Sequence, residues 1–152
     1  MEAVRLIEAT RRALEQCTTV PGIVAEAWQA QAIAESVGGR LATAGPLVVR
    51  AEARGLGESG SRARGALHHA GLRPGGLRAD RLTLVEEPRC ALTALGGLLG
   101  EVGAALVRVA VSAEEEGLYW QCIEAIDVVD ESGDRVAGML RSLALRERDG
   151  VP

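Results

Sequence analysis

Apolar positions recur along this chain at helical spacing, and nowhere do they alternate with period two over a sustained stretch. The first set, over about Glu2 to Cys17, places Ala3, Ile7, Thr10, Leu14 and Cys17 four and three residues apart. A second carries Val20, Ile23, Ala27, Ala30, Ala34, Val37 and Leu41, with Pro21 in a first turn that tolerates its missing N–H. Trp28 and Ile33 flank that narrow, Ala-rich seam, and Gly38-Gly39 weakens its end. Gly45-Pro46 separates it from a third set, Val49, Ala53, Leu56, Gly60, Ala63, Leu67 and Ala70. That segment also holds Gly55, Gly57 and Gly65, so its helicity must come from packing, with room for a break near Gly57–Ser61.

Gly71 to Asp80 is the one clear loop, with Pro74-Gly75-Gly76 as its turn chemistry. Thr83 and Glu86 then have capping-box spacing, and Pro88 suits an early helical position. The fourth helix follows on Leu92, Leu95, Leu99, Val102, Leu106 and Val109, with Gly96, Gly97, Gly100 and Gly103 forming a flat small-residue strip. Such a strip lets a neighbouring helix lie close. Ser112 and Glu115 repeat the capping spacing, and Glu114 to Glu116 suit a helix N-terminus. Leu118, Cys122, Ala125, Val129, Ser132, Val136, Leu140 and Leu143 keep phase across Gly133, which predicts one long fifth helix. The pattern as a whole predicts an all-α antiparallel bundle of four to five helices, a single domain over 1–148 with a frayed tail at 149–152.

Composition narrows the picture. The chain has 152 residues, is 47% apolar and only 2% aromatic, so its core is built from Leu, Val, Ile and Ala. A chain of this size buries enough surface to fold without disulfides or metal. All 17 positive residues are Arg, and Lys, Asn and Phe are absent, as a GC-rich genome would produce. The net charge of −4 speaks against a DNA-binding protein or a binder of anionic membranes. The apolar stretch from Cys90 to Ala113 is broken by Glu101 and Arg108 and is not read as a membrane span. No apolar leader opens the chain, so a cytoplasmic location is expected. Cys17, Cys90 and Cys122 lie far apart on apolar helical faces and read as buried structural thiols. Charge is uneven: residues 50–81 carry a net +4 and residues 82–152 a net −7. Complementary faces within one fold account for this, or else one of them meets a partner.

Candidate chemistry is sparse. No phosphate-cradling loop, nucleophile elbow, HExxH or CxxC occurs, and no cofactor, metal or catalytic residue is assigned. Arg64 and His69, and likewise Arg62 and His68, have spacings close to the RxxxxH-type motif and resemble the HEPN superfamily of helical ribonucleases. That resemblance implies His as acid/base and Arg on the developing phosphorane charge. His68 and His69 equally suit a solvated helix end. Tyr119 and Trp120 lie off the seam of the fifth helix, so they either cover a neighbouring helix or face a partner, and packing is the favoured reading.

The stretches MEAVRLIEATRRALEQ, VAEAWQAQAIAE, AEARGLGE, RLTLVEEPR, ALTALGGLLGEVG and EEEGLYWQCIEAIDVVDESGDRV resemble a family of small actinobacterial proteins, of the kind found in Streptomyces, with a domain of unknown function. The resemblance implies a bacterial origin and brings no catalytic residue with it. The expected function is a non-enzymatic helical interaction or oligomerisation module whose partner is a protein or a second copy, a homodimer being the expected form. The alternative is a small-ligand sensor with a pocket near Trp28 or Trp120 and an anion held by Arg62 or Arg64. A HEPN-like RNase stands third.

Overall fold

The computed structural model describes residues 1–66 and 77–150. Among them are five helices: α1 (Ala3–Glu15), α2 (Val20–Ala44), α3 (Arg50–Ala66), α4 (Pro88–Ser112) and α5 (Glu116–Arg148). Two 3-10 turns occur at Leu47–Val49 and Arg78–Arg81. No strand occurs among the described residues; Glu2 and Leu84 make a single parallel bridge. The chain is all-α, as its periodicity predicts.

Four helices form a ring in the order α2, α3, α5, α4, and α1 packs across α2 and α4. Short connections make α2–α3 and α4–α5 antiparallel hairpins. The contacts Ser59–Ser132, Arg62–Glu131 and Arg135–Glu52 run α3 against α5, also antiparallel. Arg40, late on α2, donates to the carbonyls of Leu82 and Thr83 just before α4, so α4 starts where α2 finishes. Residues 77–87 lie along this crossing. Arg78 pairs with Glu26 and its N–H donates to the Gln29 Oε1.

The α2–α3 hairpin is closely packed, and glycine makes it so. A Cβ at Gly38 would lie 2.6 Å from the Gly57 nitrogen and 2.7 Å from the Ala53 carbonyl oxygen. One at Gly60 would lie 2.8 Å from the Glu35 nitrogen. The glycines that threaten α3 in isolation are therefore the contact surface that holds it on α2. α3 runs through Gly57–Ser61 without a break and is described to Ala66. The predicted continuation to Ala70, and most of the predicted loop from Gly71, lie outside the described residues.

α5 is one helix of 33 residues, about 50 Å long, continuous through Gly133. It stops at Asp149, followed by Gly150 at φ +68°, the left-handed conformation glycine supplies after a helix.

Three expectations are corrected. Neither capping box forms: Thr83 Oγ1 accepts from the Met1 amino group, and Ser112 Oγ turns back to the carbonyls of Arg108 and Val109. The helices start instead at Glu87 and Glu115, with no side-chain cap. Nor are the three cysteines alike. Cys122 is buried and Cys17 half-buried, but Cys90 is exposed on the first turn of α4. The favoured packing of Tyr119 and Trp120 is the third.

Candidate functional site

The structure distributes the predicted site residues over two places. On the α2–α3 face, the Arg64 guanidinium lies 5.5 Å from the Trp28 ring centroid and 2.5 Å from Glu35. Arg62 pairs with Glu131 of α5 at 2.5 Å. Both cations are thus matched by carboxylates. Arg78, from the same basic stretch, makes two bonds to Glu26, one at 2.9 Å, which raise its pKa against the opposing effect of burial. Of these pairs only Arg62–Glu131 joins the basic stretch to the acidic segment 82–152; Glu35 and Glu26 both belong to α2. His68 and His69 lie outside the described residues.

Beneath this face is a buried polar cluster, of which only Ser132 falls on a predicted seam. Gln31, Ser59 and Ser132, each fully buried, meet from α2, α3 and α5. The two hydroxyls are 2.9 Å apart, and Ser132 Oγ lies 3.5 Å from Gln31 Oε1. Ser59 also donates to the Leu56 carbonyl, and Gln31 Nε2 has no hydrogen-bond partner. Gln31 lies off the periodic seam of α2 and is not picked out by it. The available signal was the run Gln29 to Ala34, where small residues on every side leave no solvent-facing edge on α2.

Tyr119 and Trp120 are elsewhere, at the start of α5. Their rings are 5.1 Å apart at 82°, edge to face, and Trp120 is 58% exposed. They pack on each other rather than under a neighbouring helix.

They stand at one end of the α4–α5 hairpin, whose outer side is an open groove of about 530 Å³. Gly96, Gly100, Gly103 and Val107 line it from α4, and Ile126 and Asp130 from α5. The glycines divide the work. A Cβ at Gly96 would touch Val136 and one at Gly103 would touch Val129, whereas Gly100 faces open space. Val107 and Val111 extend the exposed face toward the hairpin turn, Val111 at 82% exposure. Large apolar side chains exposed together mark interaction surfaces.

A family described as "Family of unknown function (DUF6099)" matches residues 1–142. The chain belongs to that family. No curated protein and no solved structure matches this DUF6099 chain.

Among the described residues no three His, Cys, Asp or Glu side chains stand close enough to hold a metal ion. Burial pushes the thiols of Cys17 and Cys122 up, away from the reactive thiolate. Cys17 Sγ also donates to the Ala13 carbonyl. α4 is long and apolar enough to cross a membrane by length and composition. One face of it is buried against α1, α2 and α5.

Proposed function

We propose that this protein is a non-enzymatic helical interaction module that docks a protein segment in the groove between α4 and α5. The observation that carries this reading is the outward side of α4. Thr93, Gly97, Gly100, Ala104, Val107 and Val111 form an exposed stripe of small or apolar residues, with exposed Arg108 on its α1 flank, beside an open groove and with exposed aromatics at the start of α5. Gly100 presents bare backbone, which permits close helix approach. The lack of Lys, Asn and Phe supports an actinobacterial origin, and we place the module in the cytoplasm.

The sensor and nuclease readings gain less support. Each calls on Arg62 or Arg64 to meet an anion, and both guanidiniums are already held by Glu131 and Glu35.

The test is a photocrosslinking amino acid placed at Gly100, and separately at exposed Arg54 on α3, in cells of the native host. The reading predicts one adduct of defined mass from position 100, lost on Val107→Asp, and none from position 54. The same products from both positions, or none from either, would contradict it.

A further inference from the structure

We infer that the occupant of the α4–α5 groove is a cationic amphipathic helix of another protein, not a second copy of this chain; this rests on the docking reading above. The two walls of the groove differ in kind. The α4 wall is uncharged, formed by Gly96, Gly100, Gly103 and Val107. The α5 wall adds Asp130 and Asp134, with Asp127 exposed one turn earlier.

None of these three aspartates has an ion-pair partner among the described residues, whereas the carboxylates of Glu26, Glu35, Glu52, Glu101, Glu131 and Glu147 all do. The one nearby cation on α4, Arg108, lies on its other side, lining the cleft against α1 and α2. An occupant therefore needs small or apolar residues against α4 and Arg or Lys along the edge that faces α5. From Gly96 to Val107 the groove runs about 17 Å, three turns of helix.

A second copy seated with its α4 antiparallel meets this demand poorly. A two-fold contact sets the same surface against itself, so two copies joined along antiparallel α4 helices place the aspartate edges of α5 on the same side of the seam. Like charges then gather, with no arginine between them. An anionic lipid surface is disfavoured by the same edge.

The test uses two labelled 18-residue peptides with a common Ala/Leu face, one with arginines along a single flank and one with glutamates there. Anisotropy reads their binding to the full chain, to D130N/D134N and to Gly100→Leu. Light scattering reads the mass of each protein, and thermal melts show that the variants fold, as their exposed positions allow. The expected result is binding of the arginine peptide alone, weakened by salt, about fivefold weaker to D130N/D134N and lost on Gly100→Leu. Equal binding of both peptides overturns the cationic occupant and leaves docking intact. So does a dimer that Gly100→Leu dissolves. If neither peptide binds and every variant stays monomeric, both readings fall.

Discussion

The α-carbon of Gly38 faces Gly57 across the α2–α3 crossing, so closely that a β-carbon at residue 38 would lie 2.6 Å from the Gly57 amide nitrogen. Its chain neighbour, Gly39, has nothing within 4 Å of the same position. One residue seals two helices; the next is spare.

Opposite effects of one substitution follow at adjacent sites. Gly38→Ala forces backbone apart and is expected to cost about 1–3 kcal/mol, despite the better helix propensity of alanine. Gly39→Ala meets no atom and should add up to about 1 kcal/mol. Urea midpoints of the two variants check this. A neutral Gly38→Ala would mean that the crossing is looser than described.

The buried cluster of Gln31, Ser59 and Ser132 makes a second prediction. Gln31 Nε2 has lost water and gained no acceptor, while the two serines satisfy each other. Gln31→Met keeps the volume and removes the stranded donor, so it should raise stability by about 1 kcal/mol. A loss of stability in the urea melt would show that the amide is better satisfied than its contacts indicate.

The two arginines near the end of α3 face different helices and should behave differently. Arg64→Ala removes a partly buried pair with Glu35 and the stacking on Trp28, with an expected cost of about 1 kcal/mol and a shift in Trp28 emission. Arg62 is mostly exposed, and Arg62→Ala should change stability by less than about 0.5 kcal/mol. Melts and emission spectra of both variants, in a Trp120→Phe background, separate the two.

The thiols should divide by burial. Cys90 is expected to react with a thiol reagent at neutral pH, Cys17 more slowly, and Cys122 only on unfolding. Burial favours the neutral thiol, so the folded pKa of Cys122 lies above its unfolded value. Its contribution to stability is whole below about pH 8.5 and is lost as pH rises through the folded pKa. Urea midpoints between pH 7 and 10 should therefore fall more steeply for wild type than for Cys122→Ala. Parallel slopes would contradict this.

Much of this was legible in the chain, and the failures have physical causes. The helical class, and the unbroken α5 through Gly133, follow from phase alone, because packing of a long seam outweighs one glycine. Thr83–Glu86 and Ser112–Glu115 have the right spacing for caps, but Thr83 is taken by the chain's own amino group, a contact over 82 positions that local pattern does not carry. The glycine strip on α4 was plain in the sequence, yet not which glycine faces outward. That depends on where α5 lies, and it leaves Gly100 bare while Gly96 and Gly103 are covered. The size of Tyr119 and Trp120 favours burial, whereas both stay near solvent in edge-to-face contact with each other.

Hydroxyl-radical footprinting of Val107, Val111, Tyr119 and Trp120, in living host cells and on the purified protein, tests the docking face most directly. The account predicts strong labelling of all four in the purified chain and marked protection in the cell, with exposed Leu47, in the α2–α3 connection outside the groove, labelled alike in both. Equal labelling of the four in both settings would mean that nothing occupies this face, and would contradict the account.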